Sequence, residues 1–310
     1  MYIIDIGANH GEFAVEIAKR NRSFKVIAIE PVEALRDKIK NKANAESIDN
    51  LTILDYAIDV EEKVTYLNVA KHNDWGVSSL LDFDQDKLQD EYWKTREDMF
   101  FEDKIQVEVR KLSTILEDYN LSENNRIKFI KIDTQGLDLQ ALISSERYLE
   151  FIDAGMLETS VNIGLGLYKD EKYDLYDVLI WLKENGFKID YIKPNDPASN
   201  ELNVYFSRES INIHDLEKEL SLRGVKIYDG KFYWNLPADK LIDEEDYYRL
   251  KNNYKECCSK IERLNSYSQL VNKHINISMP WLNNIEELLM WMSKSRVVRI
   301  LRIMNRILSR

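Results

Sequence analysis

Cysteine is nearly absent. The 310-residue chain has two, Cys257 and Cys258, side by side. Neighbouring cysteines rarely bridge each other, and no metal-ligand spacing surrounds them. A disulfide framework and a structural zinc site are therefore excluded, and a reducing compartment is the natural setting. Long apolar runs are missing too. The longest, residues 178–182 and 288–292, have five residues each, against the about 20 that a membrane-spanning helix needs. No basic-plus-apolar leader precedes the first strand-like segment, so a cytoplasmic protein is expected. The four Asn-x-Ser/Thr triplets, Asn120-Leu121-Ser122 among them, carry no weight without a secretory route. Positive charge is in deficit: 43 Lys+Arg stand against 54 Asp+Glu, a net charge of −11. That argues against binding to nucleic acid by broad charge attraction. What the chain does have is material for a core. Apolar residues make up 44% and there are six Trp, which argues against general disorder.

The first two hundred residues alternate short β-branched-rich runs with stretches of helical spacing. Strands are expected at 2–6, 25–29, 51–55, 127–133 and 154–161, and helices at 11–20 and 31–42. This alternation reads as an α/β domain with a largely parallel, buried sheet. Residues 187–193 and 202–206 look like two later strands that pair as an antiparallel edge. Another strand is expected at 105–109, reached through a long polar stretch over 71–103. A connection that long inside a compact domain is usually functional or has structure of its own. The expected domain covers 1–208.

A connector of helix and hairpin is expected over 209–240. Residues 225–228, the dipeptide Asp229-Gly230 and residues 231–234 read as a tight β-hairpin, because Asp-Gly suits a turn that needs positive φ. A helical extension follows over 241–310. Tyr247, Leu250, Tyr254, Cys257, Ile261, Leu264, Ser268, Val271 and Ile275 alternate by three and four. This heptad seam over 243–275 suits a coiled-coil homodimer arm or a long helix packed on its own domain. Residues 288–310 contain no acid and six bases: Lys294, Arg296, Arg299, Arg302, Arg306 and Arg310. The arginines step by three and four, so they form one stripe on a helix with apolar residues opposite. Such a helix suits an anionic membrane surface, here the inner face of a membrane, or a protein partner.

The most informative stretch opens the chain. A strand containing Asp5 runs into Gly7-Ala8-Asn9-His10-Gly11, and a helix follows. A glycine-rich strand-to-helix turn lets a ligand approach the backbone, and the helix start offers free N–H donors. The second strand ends in Glu30-Pro31, 23 residues after Gly7, where Rossmann-like folds place an acid on a ribose. Asn9 occupies the position of the second glycine in Gly-x-Gly-x-x-Gly, which counts against a dinucleotide. Asp5 suits a ligand with an ammonium group better than one with a phosphate. Together these features favour S-adenosylmethionine over NAD.

The sequence resembles the FkbM-type methyltransferases. The resemblance rests on Asp5-Ile6-Gly7-Ala8-Asn9-His10-Gly11, Ala28-Ile29-Glu30-Pro31, Gly76-Val77-Ser78-Ser79-Leu80, and the run Phe129-Ile130-Lys131-Ile132-Asp133-Thr134-Gln135-Gly136-Leu137-Asp138. The four blocks cover about residues 2–206, and the last is the most distinctive. The position of Gln135 is often Glu in that family. The resemblance implies a Rossmann-like class I methyltransferase fold, S-adenosylmethionine as cofactor, and methyl transfer to hydroxyls of sugars or other secondary metabolites.

On this reading the cofactor candidates are Asp5, Gly7, Ala8, Asn9, Gly11, Glu30, Pro31, Asp55, Ala57 and Ser79, with Asp55-Tyr56-Ala57 closing the third strand beside the adenine. Asp133 ends its strand at the carboxyl edge, where open α/β sheets hold ligands; it is the leading candidate to orient or deprotonate an acceptor. Glu158, near the end of the next strand, is the second. His10 in the glycine loop is a third, and His72 lies near Trp75, which with Tyr92 and Trp93 can supply a flat platform for a sugar ring. Asp133 and Asp138 lack an evident third ligand, so no metal is expected. Two other classes remain open: a non-catalytic scaffold working through the heptad helix and basic tail, and an NAD-dependent oxidoreductase, against which Asn9 argues.

Overall fold

The first strand, β1 (Tyr2–Ile6), is buried along its whole length. A strand covered on both faces needs strand neighbours on both edges and helices above and below. The computed structural model, which describes residues 1–71, 75–89, 100–196, 201–230 and Ser259, supplies them. After β1 come α1 (Glu12–Arg20), β2 (Lys25–Ile29), α2 (Glu33–Ala45) and β3 (Leu51–Leu54). Three strands then form a small separate sheet: β4 (Tyr56–Ile58), β5 (Lys63–Val69) and β6 (Asp103–Arg110). The main sheet resumes through α3 (Leu112–Leu116), β7 (Ile127–Ile132), α4 (Asp138–Ile143), β8 (Ala154–Ser160), α5 (Leu175–Glu184), β9 (Phe187–Asp196) and β10 (Glu201–Arg208). Two short helices, α6 (Ile213–Glu219) and α7 (Lys226–Asp229), follow.

The main sheet runs β3-β2-β1-β7-β8-β10-β9. Its first five strands pair in parallel, while β10 is antiparallel to both β8 and β9. The expected α/β class with a largely parallel sheet and an antiparallel edge is what the chain forms. The small sheet has the order β4-β6-β5. Leu67, Val69, Val107, Val109 and Ala57 pack there with Val32 and Leu35 of the α2 segment. This sheet was not evident from the sequence, which ran Asp55-Tyr56-Ala57 into the third strand. In the structure that strand stops at Leu54, and Tyr56 starts a new one.

Two apolar layers sandwich the main sheet. One gathers Ile4, Ile27, Ile130, Leu142 and Phe206. The other gathers Ile3, Phe13, Ile17, Phe129, Tyr205 and Tyr228. The second layer corrects the expected hairpin. Residues 226–229 are the helix α7, and Gly230 (φ 79°) is its C-cap rather than part of a hairpin turn. The reason is spacing. Val225 and Tyr228 are both buried; three residues apart, they share a face in a helix but would point to opposite faces of a strand. Arg20 of α1 fastens this region by donating to the carbonyls of Ser221, Arg223 and Gly224 at 2.9, 2.9 and 3.2 Å. Residues 209–230 of the stretch expected as a connector are therefore part of the domain packing, and the first of two compact units runs from Met1 to Leu236.

The second unit is Pro237–Arg310. The heptad helix expected over 243–275 and the basic stripe of 288–310 lie outside the described residues, as do His72, Tyr92, Trp93 and residues 231–234. No helix among the described residues is long and apolar enough to cross a membrane.

The packing of α7 predicts the cost of emptying it. Tyr228 stacks edge-on against Phe129 and Tyr205, with centroids 5.6 and 5.2 Å away, and its hydroxyl donates to Glu217 Oε1 at 2.8 Å. Tyr228→Ala is expected to lower unfolding stability by about 3–5 kcal/mol, as for other large aromatic deletions, measured by urea denaturation. A loss near zero would mean that this segment does not belong to the core.

Candidate active site

The site is built where β1 ends. Gly7 turns with φ 70°, and a Cβ there would fall 1.8 Å from the Asp133 carbonyl oxygen. Only glycine lets the ends of β1 and β7 come so close. The N–H groups of Gly7 and Ala8 both donate to the Ile29 carbonyl, at 3.0 and 3.1 Å, tying the turn to β2. Asn9 takes a left-handed φ of 48°, which asparagine tolerates. Gly11 (φ 72°) leads into α1, and a Cβ on it would meet Ile39 of α2 at 2.8 Å.

Beneath the turn lies a side chain whose role the sequence did not reveal. Lys131 is the direct partner of Asp5 across the β1–β7 ladder. Its Nζ is 3.0 Å from Asp5 Oδ1 and 3.4 Å from Asp133 Oδ2, and it donates to the Gly7 carbonyl at 3.1 Å. Burial works against the ammonium, but the charges of Asp5 and Asp133 outweigh it and hold Lys131 above its ordinary pKa. The second oxygen of Asp5 accepts from the Ala14 N–H at 3.1 Å. Asp5 is fully buried, with its oxygens given to Lys131 and α1. Asp5 thus positions the turn from below, and it also lines the second of the clefts described next.

Glu30 closes β2. Its carboxylate accepts from the N–H of Val32 at 2.9 Å and of Asn9 at 2.8 Å. Burial pushes its pKa up to about 7 against the pull of these two donors. Asp133 leaves β7 with 34% of its side chain exposed. Its Oδ1 accepts from Gln135 Nε2 at 2.7 Å, so each oxygen has one donor and spare lone pairs. Gln135 is held in turn. Its Oε1 accepts the Tyr168 hydroxyl at 2.8 Å and its carbonyl accepts the Ser79 hydroxyl at 2.6 Å. Asp138 stays inside the loop, accepting from the N–H of Thr134 at 3.0 Å and of Gly136 at 3.3 Å. Burial, then the charge of Asp133, pushes it up to about 7.

Two clefts share Gly7, Asn9 and Asp133 as wall residues. The first, about 660 Å³, has an apolar end formed by Val32, Leu35, Tyr56, Ala57, Leu67 and Trp75, and a polar end with Glu30, Thr134 and Gln135. The second, about 650 Å³, adds His10, Glu12, Lys131 and Lys226. A third, about 350 Å³, lies beyond Gly136 and holds Asp138, Glu158, Glu171 and Glu201.

The structure thus sorts the candidates. Gly7, Asn9, Glu30, Pro31 and Ala57 line the first cleft and Asp133 lines both of the first two. Ala8 and His10 line the second. Lys38 approaches His10 Nδ1 at 3.4 Å, and Lys42 donates to its carbonyl at 2.8 Å. Gly11 shapes the turn from behind, and Ser79, fully buried, braces Gln135 rather than facing the cleft. Asp55 is exposed and absent from the cleft walls, because the chain turns there into the small sheet. Glu158 stands in the third cleft, accepting from Asn195 Nδ2 at 2.6 Å. Burial, then the charge of Glu201, raises it well above the ordinary carboxylate range. It is not brought to the first cleft beside Asp133, since the side chain of Gln135 comes between, 2.7 Å from Asp133 and 3.5 Å from Glu158. The sequence signal for Lys131 was a lysine inside a strand with apolar residues on both faces, which must find a buried partner.

Comparison with known proteins matches residues 5–189 to the family described as Methyltransferase FkbM domain. Methyltransferase sdnD of Sordaria araneosa is 24% identical over 192 residues, 56% of this chain and 74% of that protein. Two solved structures are similar at low identity. A SAM dependent methyltransferase of Aquifex aeolicus gives a TM-score of 0.33 at 15% identity, over 66% of this chain and 81% of that one. Magnesium protoporphyrin IX methyltransferase of Synechocystis, solved with SAH bound, gives 0.36 at 10% identity, over 67% and 74%. The matched family uses S-adenosylmethionine, and the walls fit such a molecule. Asn9 Oδ1 and Thr134 Oγ1 are buried there without hydrogen-bond partners, and Gly7 leaves its backbone open to close approach.

The raised carboxyls make stability depend on pH. Glu30 and Asp138 titrate near 7 in the folded chain, above their ordinary values. The stability they contribute is complete below the ordinary carboxylate range and is lost as pH rises through about 7. The unliganded chain is expected to melt at a lower temperature at pH 8 than at pH 5.5 in a calorimeter, with a shallower fall in Glu30→Gln. A melting temperature that is flat or rising over this window would contradict the burial of these two acids.

Proposed function

This chain belongs to the FkbM methyltransferase family and is a SAM-dependent methyltransferase; from that premise we propose that it methylates a hydroxyl of a sugar, in a glycan, a glycolipid or a related metabolite. The observation that carries hydroxyl transfer is the place of Asp133. It stands at the carboxyl end of β7, partly exposed, on the wall common to the two larger clefts. The sugar class rests on the family resemblance.

In this reading the first cleft takes the adenosyl part. Val32, Leu35, Tyr56, Ala57 and Leu67 bury the adenine against the small sheet, with the indole of Trp75 at the mouth. Apolar burial of a flat ring is favourable and needs few polar partners. Glu30, fixed by Asn9 and Val32, turns its remaining lone pairs to the ribose hydroxyls. When bound, the cofactor supplies a methyl group already activated by a positive sulfur. The residues then need only place an oxygen in line with it. Asp133 accepts the hydrogen bond of the acceptor hydroxyl, which aims the oxygen, and takes its proton as the new carbon–oxygen bond forms. Lys131 and Gln135 fix the two Asp133 oxygens so that the carboxylate does not turn away. The proton leaves to solvent through the exposed part of the side chain.

Asp133→Asn keeps the shape and removes the proton acceptor. It is expected to lower kcat by about 10²–10⁴-fold while leaving the affinity for S-adenosylhomocysteine unchanged within a few fold. The readout is the methyl mass gain of a candidate polysaccharide by mass spectrometry, together with calorimetric binding. Undiminished turnover would remove Asp133 from the chemistry. Methyl gain on nitrogen or carbon in place of oxygen would overturn the acceptor class.

A further inference from the structure

The second cleft is not used by the adenosyl part. It begins at Gly7, Asn9 and Asp133, the residues it shares with the first, and continues between the start of α1 and α7. Its walls carry both signs of charge: Asp133 and Glu12 on one hand, Lys131 and Lys226 on the other. Walls of mixed sign suit a zwitterion better than an anion or a cation. Two further features point the same way. Asn9 Oδ1 is a buried acceptor with no donor, and the ammonium of exposed Lys226 has no acceptor among the described residues. Lys38 and Lys42, both held at His10, add positive charge on the same rim.

Resting on the adenosyl placement above, which leads the amino-acid end of the cofactor into the second cleft, we propose that Lys226 holds the carboxylate of that end, with Asn9 Oδ1 on its ammonium. The chemistry follows from the shared wall. With the adenosine in the first cleft, the sulfur lies beside Gly7 and Asp133, and a short carbon chain leads from it into the second. Lys226 belongs to α7, which lies after the span matched to the family (5–189). The C-terminal part of the domain, fastened to α1 by Arg20, therefore supplies a binding residue that the family match does not include. It also gives the folding of residues 226–229 as a helix a consequence for function: in a hairpin, Lys226 would not be set by the same packing.

The test compares two ligands by titration calorimetry on the full chain. S-adenosylhomocysteine carries the amino-acid end, and 5′-methylthioadenosine lacks it. Loss of one charge-assisted contact is expected to weaken S-adenosylhomocysteine binding about tenfold in Lys226→Ala, and further in Lys226→Glu. Lys226→Arg should keep the affinity. Binding of 5′-methylthioadenosine should stay within twofold in all three. Unchanged S-adenosylhomocysteine affinity in Lys226→Ala, or an equal loss for both ligands, would overturn the proposal. If neither ligand binds the wild-type chain, the adenosyl placement itself falls, a different result from the loss of this contact.

Discussion

A single buried ammonium organises the centre of this protein. Lys131 lies 4% exposed in a strand with neighbours on both edges, where an unpaired charge would cost several kcal/mol. Three acceptors satisfy it: Asp5, Asp133 and the Gly7 carbonyl. They belong to different parts of the site. Asp5 sits in β1 and holds the first turn of α1 through Ala14. Gly7 is the turn itself, and Asp133 is the carboxylate that faces the clefts. Desolvation of the ammonium thus obliges all three to keep one geometry.

The remaining features follow outward from that point. Because the ends of β1 and β7 nearly touch at Gly7 and Asp133, the clefts to either side share a wall, and a reaction can take place between them. Glu30 spans from the end of β2 to the glycine turn through its two N–H donors. The geometry of the Asp133 loop depends on Asp138 inside it and on Gln135, Ser79 and Tyr168 around it. The neutral amide of Gln135 can donate to Asp133 and accept from Tyr168 at once, which a carboxylate in its place could not do without a proton.

The parts of the fold that the sequence showed plainly are those governed by local pattern. Buried strands at 2–6, 25–29 and 127–132 announce themselves as short runs rich in β-branched residues, and the glycine turn by its composition. What stayed hidden depends on distant pairing. The small sheet joins residues near 56 to residues near 108, and no local signal tells Tyr56 to leave the third strand. Asp55 was misplaced for that reason. Residues 225–234 fit a hairpin locally, and only burial of Val225 and Tyr228 on one side selects the helix over 226–229. Asp5 and Lys131 were both visible as charges in apolar strands, but their union required knowing that β1 lies beside β7. Glu158 ended a strand as expected, yet the side chain of Gln135 stands between it and Asp133, a matter of side-chain direction.

The measurement that bears most directly on this account is a crystal structure of the full chain with S-adenosylhomocysteine. The account predicts the adenine between Val32 and Tyr56, the ribose hydroxyls on Glu30, and the sulfur beside Asp133 with the three Lys131 contacts intact. A ligand bound elsewhere, or Lys131 released from Asp133 in the complex, would contradict it.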